Sequence, residues 1–313
     1  MNEPPLIVIC GATATGKSAA AVVLAREIGA EIVAADSRTI YRGLDIGTAK
    51  PTPDMRAAVP HHLLDVADPR EIFTVAHYQH LATSVIEGIH RRGGVPLLVG
   101  GTGLYIRAVV DGLQIPRVPP DWALRRQAEA EERAEPGTLY ARLAKADARA
   151  AERIHPRNLR RIIRALEVIA RTGEPISIQQ RTQPAPWRVT VVGLRLPRPM
   201  LYARIDRRVD EQIAHGLAEE VRRLLAAGVP PEAPGMQGLG YKELIPYVRG
   251  DLTLEDATAR LKRNTRQYAR RQEIWFRRDP RIHWVDVGHA GPETVAVSIR
   301  AMLAVTMPSL ESS

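Results

Sequence analysis

The chain contains a single cysteine, Cys10, among its 313 residues. One thiol can form neither an internal disulfide bond nor a cysteine-based zinc site, and this scarcity is typical of a reducing cytoplasm. The longest apolar runs, such as residues 6–10 and 95–99, fall far short of the roughly 20 residues that span a bilayer. No basic residue precedes the first of these runs, so the N-terminus is not of the secretory type. We therefore expect a cytoplasmic protein without a membrane partner.

Lysine is also scarce, because only five of the 44 basic residues are lysine and the rest are arginine. The basic residues exceed the 35 acidic residues by nine, which gives a pI near 10.0. A surplus of this size on a core-forming protein indicates an anionic partner, of which nucleic acid is the commonest. An arginine-rich genome would explain the ratio of arginine to lysine, but it would not explain the surplus.

Length and apolar content bound the architecture. With 45% apolar residues the chain can bury at least one full core, which excludes a disordered protein, a small disulfide scaffold and a coiled-coil rod. A chain of 313 residues exceeds the usual size of one domain. We therefore expect either two domains or one domain that carries a sizeable insertion.

Strand and helix patterns alternate in the first third of the chain. Residues 6–10 and 95–99 are short apolar runs followed by glycine, as is typical of buried parallel strands. Residues 31–35 are predicted to form another strand, which places Asp36 and Ser37 at its C-terminal end. Apolar residues recur at helical spacing over residues 17–28 and 74–92. This alternation predicts an α/β fold with a parallel sheet that helices cover on both faces.

The pattern changes after the proline-rich residues 115–120. Residues 121–181 are rich in alanine, arginine and glutamate and are helical in pattern, with no convincing strand, whereas residues 189–194 again form a strand pattern. A sheet that is interrupted and then resumed favours an insertion over two domains in series. The predicted divisions are residues 1–114 for the first part of the core, 115–186 for an all-helical insertion, and 187–313 for the resumed core with basic C-terminal helices.

A phosphate-binding motif of the form G-x-x-x-x-G-K-[ST] lies between the first strand and the first helix. Its glycines allow consecutive backbone N–H groups to point inward, and the helix dipole adds positive potential. Lys17 supplies a point charge to the outer phosphate and Ser18 a hydroxyl for Mg²⁺. The predicted diphosphate- or nucleotide-binding residues are Gly11, Ala12, Thr13, Ala14, Thr15, Gly16, Lys17 and Ser18.

A second metal-holding acid of the kind that kinases and ATPases use is not evident. The strand at residues 95–99 is followed by Gly100-Gly101-Thr102, whose side chains are too small to hold a metal. The acid that does end a strand is Asp36. At this point it can be either an early metal ligand or a general base beside the phosphate pocket.

Several further motifs together resemble the tRNA dimethylallyltransferase (tRNA isopentenyltransferase) family, over essentially the whole chain and in order. Thr39 is one small departure, since the family often has glutamine there. The matching segments are Gly11–Ser18, Asp36–Tyr41, Asp45–Pro51, His61-His62, Gly100–Tyr105, His155-Pro156, Arg164–Glu167, Gly240-Tyr241 and Arg271-Gln272 with Trp275. The resemblance implies a P-loop NTPase-like parallel sheet with an all-helical insertion.

The family resemblance also implies a reaction. A dimethylallyl group would pass from dimethylallyl diphosphate to N6 of the adenosine immediately 3′ of the anticodon (position 37), in tRNAs that read codons starting with U. Asp36 would accept the amino proton, Lys17 and the loop would stabilise the leaving diphosphate, and Thr102 would contact the base or the leaving group. Arg208 would be a further diphosphate contact, although it could equally lie on a solvated helix face. The expected cofactor is Mg²⁺ on Ser18, and the expected state is a monomer.

RNA contacts are expected on three segments besides the strand ends: a basic helix, an arginine cluster in the insertion, and residues 238–243, the last through proximity of the backbone. Residues 253–278 form a basic helix in which Tyr268, Arg271 and Trp275 share a face, as suits a phosphate backbone with splayed-out bases. Alternatively, Tyr268 and Trp275 are core residues and the arginines are merely solvated. The expected RNA contacts are Asp36, Ser37, Arg38, Thr39, Thr102, Arg160, Arg161, Ile162, Ile163, Arg164, Gly238, Leu239, Gly240, Tyr241, Lys242, Glu243, Arg270, Arg271, Gln272, Trp275 and Arg277.

Two other functions stay open on the sequence alone. A P-loop kinase of a small metabolite or nucleotide would use ATP and no RNA. An RNA-binding regulator that depends on a nucleotide such as ATP would keep the phosphate loop and the basic surface, but Asp36 would then be incidental. The adjacent His61-His62 lacks a partner at metal-ligand spacing, so we do not expect zinc there.

Overall fold

We describe the protein from a computed structural model, in which residues 3–116, 118–179, 181–184 and 186–308 are described. Backbone contacts divide the chain into two compact units. Unit 1 comprises Met1–Val109 with Pro186–Ser313, and unit 2 comprises Val110–Ala185. A continuous chain segment is therefore inserted into unit 1 and forms a body of its own.

A parallel sheet forms the centre of unit 1. In the described residues it has six strands in the order β3-β2-β4-β1-β5-β6, and every neighbouring pair is parallel. The strands are β1 (Pro5–Gly11), β2 (Ala30–Ala34), β3 (His61–His62), β4 (Val95–Gly100), β5 (Arg188–Arg195) and β6 (Ile282–Asp286). Because β1 is central, the loop that follows it lies between the ends of β4 and β5.

Helices connect the strands. Those of the described residues are α1 (Lys17–Ile28), α2 (Pro53–Ala58), α3 (Val75–Arg91), α4 (Gly103–Val110), α5 (Trp122–Ala134), α6 (Thr138–Ala146), α7 (Ala148–Arg153), α8 (Leu159–Thr172), α9 (Ile176–Gln179), α10 (Arg198–Ala214), α11 (Leu217–Ala226), α12 (Tyr241–Val248), α13 (Leu254–Phe276) and α14 (Pro292–Thr306). A short 3-10 helix spans Gly235–Gln237. The predicted α/β class, with a parallel sheet flanked by helices, is confirmed.

The buried side chains of unit 1 include two large clusters. The first packs one face of the sheet against α1, α10 and α14, and it contains Ile7 and Ile9 of β1. Leu6 and Val8 alternate with them, are equally buried, and so face the opposite layer, as the two-residue period of a strand requires. The second cluster contains residues of α10, α11, α12 and α13 together with residues from the segment 40–73. Because Leu6 and Val8 are as fully buried as Ile7 and Ile9, both faces of the sheet are covered at β1, which explains its continuous apolar run.

The C-terminal half differs from the sequence prediction. The sequence predicts one long helix over residues 200–227, but the structure has two helices there, α10 and α11. Gly216 between them has φ of 90°, a left-handed conformation that lets the chain turn there. Strand β6 and helices α12 and α14 were not predicted. The segment that contains α12 is rich in glycine and proline, and Pro246 lies within the helix.

Unit 2 is helical, with α5 to α9 packed around a core of its own. The carboxylate of Glu167 is completely buried there. It accepts hydrogen bonds from Arg125 Nε and Nη2, both at 2.8 Å, from Arg164 Nη1 at 2.5 Å, and from the Asp121 N–H at 2.7 Å. Burial by itself raises the pKa of Glu167, but these partners outweigh it and lower that pKa to about 2.

Candidate active site at the carboxyl edge of the sheet

The loop after β1 forms a phosphate cradle whose shape depends on two glycines. Gly11 has φ of 140°, and a Cβ there would lie 2.4 Å from the Leu194 carbonyl oxygen. Gly16, with φ of 91°, begins α1, and Ala14 between them is also left-handed at φ of 64°. Thr15 Oγ1 and Lys17 Nζ both donate to the Ala12 carbonyl, at 2.9 and 2.6 Å. The loop is therefore wound around the N-terminus of α1, which is the geometry that binds phosphate.

Two cations meet at this cradle. Burial and the nearby Arg208 together lower the pKa of Lys17 to about 8, against the opposing effect of Asp36. Burial likewise lowers the pKa of Arg208, whose Nη1 lies 3.4 Å from Thr13 Oγ1. Like charges held together away from water favour an anion between them, since the anion relieves both the desolvation and the repulsion.

The ends of β2 and β4 bring Asp36 and Thr102 together. A Cβ on Gly100 would lie 2.0 Å from the Ala35 carbonyl oxygen, so only glycine allows this close approach. The Thr102 N–H donates to that same carbonyl at 3.1 Å, and Thr102 Oγ1 accepts from the Ser37 N–H at 3.0 Å. Asp36 Oδ1 accepts from the Arg38 N–H at 2.8 Å, which fixes the half-buried carboxylate.

A cavity of about 100 Å³ in unit 1 joins the cradle to Asp36. Thr39 also lines it, and its side-chain hydroxyl is buried without a hydrogen-bond partner, so a group bound in the cavity could satisfy it. The charged and hydroxyl groups of the lining include those of Lys17, Ser18, Asp36, Thr48 and Arg208. Its apolar wall includes Ala21, Ile32, Ala34, Ala49, Pro51, Leu64 and Val99. The cavity thus has an anion-binding end, a carboxylate and an apolar wall.

Tyrosines surround the carboxylate. Tyr78 donates to the Ala34 carbonyl at 3.0 Å and stacks on Tyr105, with ring centroids 3.8 Å apart. Tyr268 of α13 hydrogen bonds with Thr102, and burial raises its pKa to about 12, so that it stays protonated at neutral pH. Tyr78 and Tyr105 are buried and so support the site from behind, whereas Tyr268 is half-buried and is the one of the three that a ligand could reach.

Helix α13 supports the cradle from one side. Gln272 Oε1 accepts from the Thr13 N–H and its Nε2 donates to the Gly101 carbonyl, both at 2.8 Å. Trp275 covers Gly103, where a Cβ would lie 2.2 Å from the indole ring. The Gln272 side chain is buried and engaged with the loop, and the RNA contact expected of this residue stays a prediction.

The outer face of α13 is basic and exposed. Arg270, Arg271 and Arg277 are exposed, and the guanidinium of Arg271 lies 5.8 Å from the centroid of the Tyr268 ring. Trp275 is 36% exposed, so it is partly available to a ligand. The basic and aromatic face predicted for this helix is therefore present in the fold.

The segment Gly238–Glu243 lies mostly inside unit 1. Lys242 is exposed and Leu239 is half-buried, whereas Gly238 and Gly240 are buried. The Tyr241 and Glu243 side chains are buried as well, so an RNA contact by this segment stays a prediction that concerns its backbone and the Lys242 side chain. Glu243 instead caps α12 by accepting from the Gly240 N–H at 2.9 Å.

The basic cluster of unit 2 lies on α8. Arg160 and Arg161 are exposed. Arg164 is half-buried and bound to Glu167. The side chains of Ile162 and Ile163 are 1% and 4% exposed within the core of this unit, and the RNA contacts expected of these two residues stay a prediction.

Other polar groups have local partners. His62 Nε2 lies 2.7 Å from Glu31 Oε2, and His61 Nδ1 lies 2.8 Å from the Val59 carbonyl. In the described ranges there is no group of three or more His, Cys, Asp or Glu side chains that could hold a metal. Burial raises the pKa of Cys10 to about 12, which leaves its thiol protonated.

Sequence reasoning missed much of the cavity wall. Leu64 lies within no motif, and Glu220, which holds the loop 45–47 from α11, is about 175 residues distant in sequence from Asp45. Residues 48–51 belong to a motif named above, but no role followed from their order.

None of the helices in the described ranges combines the length and apolarity needed to cross a membrane.

The fold and the cradle define a P-loop-type α/β protein with a reaction cavity at the carboxyl edge of its sheet, where ligands bind in open α/β sheets. The family model described as IPP transferase matches residues 39–279. A tRNA dimethylallyltransferase of Roseiflexus sp. (strain RS-1) is 55% identical over 280 residues, which cover 89% of this chain and 92% of that protein. A tRNA dimethylallyltransferase of Moorella thermoacetica (strain ATCC 39073 / JCM 9320) is 48% identical over 316 residues, which cover 98% of this chain and 97% of that protein.

Solved structures agree in fold. The full-length tRNA isopentenylpyrophosphate transferase from Bacillus halodurans has a TM-score of 0.74 at 40% identity, with 99% of each chain covered. A eukaryotic dimethylallyltransferase acting on tRNA has a TM-score of 0.82 at 28% identity, with 99% of this chain and 80% of that chain covered. The chain belongs to the IPP transferase family.

Proposed function

We propose that this protein transfers a dimethylallyl group from dimethylallyl diphosphate to N6 of the adenosine immediately 3′ of a tRNA anticodon, in tRNAs that read codons starting with U. The observation that carries this proposal is the cavity in which Lys17, Arg208 and Asp36 meet. The relatives are named for this activity and have about the same length as this chain. Transfer to tRNA makes use of both the anion cradle and the arginine surplus.

The cradle would bind the diphosphate leaving group. As the adenosine N6 forms a bond to C1 of the allyl group, the bond from C1 to the diphosphate oxygen breaks and negative charge grows on the diphosphate. Lys17, Arg208 and the loop N–H groups would stabilise that charge, which is the transition-state role of a preorganised anion site. Hydrolysis of ATP is not part of this reaction.

Asp36 would act as the general base. An adenine amino group is a weak nucleophile and its proton becomes acidic only as N6 bonds to carbon, so a carboxylate is a sufficient proton acceptor. Thr102 and Tyr268 lie beside Asp36 and could orient the base by hydrogen bonding and stacking. Thr102 is positioned for this because it already accepts from the Ser37 N–H.

Mg²⁺ would be held through Ser18, whose exposed hydroxyl lies at the start of α1 beside Lys17. One hydroxyl is a suitable protein ligand for this ion, which usually keeps several waters and takes its other ligands from phosphates. When bound, the ion would neutralise part of the diphosphate charge. Lys17 and Arg208 would supply the remaining positive charge from the protein.

The tRNA would bind to exposed basic side chains in each unit. Arg270, Arg271 and Arg277 in unit 1 and Arg160 and Arg161 in unit 2 are suited to phosphate contacts. The residues that line the cavity all come from unit 1 of one chain, and we propose that a monomer is active. The single cysteine favours the reducing cytoplasm as its location. A kinase of a small metabolite would leave these arginines without a role.

The direct test supplies labelled dimethylallyl diphosphate and undermodified tRNA, with and without ATP. We expect label to enter tRNA without ATP, and a tRNA with guanosine at position 37 to stay unlabelled. Phosphate transfer from ATP to a small molecule, with no label in tRNA, would instead support the kinase.

Asp36→Asn tests the general base, because it keeps the shape of the side chain but removes the proton acceptor. Single-turnover transfer should slow by about 10²–10⁴-fold, since positioned proton transfer is typically worth that much. Donor binding should stay close to that of the wild type, because the diphosphate contacts the loop and Lys17. Recovery of the rate in a Mg²⁺ series would show instead that Asp36 is a metal ligand.

A further inference from the structure

The loop of residues 45–51 forms one side of the reaction cavity, and its position depends on a buried carboxylate. Thr48, Ala49 and Pro51 of this loop line the cavity, opposite residues of the sheet. Strands hold the sheet residues rigidly, but this loop has no strand pairing. Its backbone hydrogen bonds from Ala49 to Ile46 and from Lys50 to Asp45 are internal to the loop, so side-chain contacts must fix its position in unit 1.

Glu220 of α11 supplies most of these contacts. Its carboxylate is 1% exposed and accepts hydrogen bonds from three consecutive N–H groups, those of Asp45 at 3.2 Å, Ile46 at 2.9 Å and Gly47 at 3.2 Å. The fourth donor is the Tyr241 hydroxyl, at 2.6 Å. A buried carboxylate with four donors is satisfied only in this arrangement, so it selects one position of the loop.

Two other side chains complete the clamp. Gln212 Nε2 donates to the Ile46 carbonyl at 2.7 Å and to the Gly47 carbonyl at 3.1 Å. The ring of Tyr241 fills the space beside Gly47, where a Cβ would lie 2.6 Å from it. The backbone of residues 46–47 is thus held through both its N–H and its carbonyl groups.

Lys50 anchors the far end of the loop. Its buried ammonium group donates to the Tyr41 carbonyl and to Asp45 Oδ1, both at 2.7 Å, and also to Asp65 Oδ1. Ala49 beside it is left-handed, with φ of 48°, and Leu63 and Asp65 are left-handed as well. Strained non-glycine residues persist only where their surroundings hold them, and they concentrate at functional sites.

We propose that Glu220, with Tyr241, is a positioning residue that determines which allyl donors the cavity accepts. The clamp holds Ala49 and Pro51 against the apolar part of the cavity, and so limits the room for the hydrocarbon chain of the donor. The diphosphate end of the donor lies on other elements and is unaffected. This inference rests on the proposed function, because it needs an allylic diphosphate as the donor.

The test compares two donors with the same diphosphate group, dimethylallyl diphosphate and geranyl diphosphate, which is one five-carbon unit longer. The measured quantity is the ratio of kcat/KM for the short donor to that for the long donor, with the same tRNA. Glu220→Gln replaces one acceptor oxygen with an NH₂ group that faces the loop N–H groups, so the loop should move away. We expect this ratio to fall by about tenfold or more, the scale on which apolar pockets discriminate single methylene groups.

Glu219→Gln is the matched control, because Glu219 is the exposed neighbour on the same helix and should keep the wild-type ratio. If Glu220→Gln does not fold, Tyr241→Phe removes only one donor to the carboxylate and should lower the ratio in the same direction. An unchanged or increased ratio in the folded variant would overturn the inference, even where total activity falls. A wild-type enzyme that transfers neither donor would refute the proposed function instead.

Discussion

At the scale of single residues, the surroundings of Lys17 decide how the cradle binds its ligand. Burial and the neighbouring Arg208 favour the neutral amine, and the pKa of Lys17 is lowered to about 8. A bound diphosphate would favour the charged form and raise that pKa again. Binding above pH 8 should therefore take up a proton.

This linkage predicts the pH dependence of donor affinity. Below pH 8 Lys17 is already protonated and the affinity for dimethylallyl diphosphate should be nearly constant. Above pH 8 the affinity should fall by up to about tenfold per pH unit, because the free enzyme must first be protonated. Calorimetric titration with dimethylallyl diphosphate in the absence of tRNA, from pH 7 to 9.5, measures this affinity.

Lys17→Met provides the control, since it should bind more weakly and lose this decline above pH 8. A wild-type affinity that is flat up to pH 9.5 would contradict the lowered pKa of Lys17. An equal decline in both proteins would assign the titration to another group.

At the scale of elements, α13 combines two tasks on opposite faces. Its buried face carries Gln272, which bonds to both the loop at Thr13 and the end of β4 at Gly101. Its exposed face carries Arg271 and Arg277. Substitutions on the two faces should therefore affect different substrates.

We expect Gln272→Met to impair use of the donor, because it leaves the Thr13 N–H and the Gly101 carbonyl without partners. An unsatisfied buried group costs about 1–3 kcal/mol, so kcat/KM for the donor should fall roughly 10- to 100-fold.

Arg271→Ala should instead reduce the slope of log tRNA affinity against log salt by about one. Donor kinetics and salt titrations of both variants distinguish the two faces.

Two results would contradict this division of α13 into a donor-supporting face and an RNA-binding face. A flattened salt slope in Gln272→Met would place RNA at the buried face. An unchanged slope in Arg271→Ala would show that this arginine is only solvated.

At the scale of the whole molecule, the chain contains two units with separate cores. The core of unit 2 contains a buried ionic cluster, in which Glu167 is bound by Arg125 and Arg164. Breaking such a cluster costs more than breaking a surface pair, because charges are left buried. The stability of unit 2 should therefore depend on one carboxylate.

Glu167→Gln should destabilise unit 2 by roughly 3 kcal/mol near neutral pH. The folded-state pKa of Glu167, about 2, lies below its ordinary value of 4.5, so the ionised carboxylate stabilises the fold above pH 4.5. The difference from wild type should shrink as the pH falls from 4.5 toward 2. The rate of amide hydrogen exchange should rise within residues 110–185 and stay unchanged in β1 and β4. A rise in residues 110–185 and in these strands alike would show that the two units unfold together.

Local sequence patterns determined the phosphate cradle, the parallel strands and the basic helix. Each depends on neighbouring residues: a glycine where the backbone is left-handed, an apolar run where a strand is buried, and arginines at helical spacing. For this reason residues 11–18 and the position of Asp36 after β2 could be predicted directly. The general-base role of Asp36 stays a prediction.

Only the tertiary structure decided which side chains of those patterns are available to a ligand. Tyr241, Gln272 and Ile162 belong to segments that resemble RNA contacts, yet all three are buried. The clamp at Glu220 joins residues about 175 positions apart, and the strand order brings β2 beside β4 rather than β1. Burial and long-range hydrogen bonds depend on how elements pack, and no local pattern encodes that.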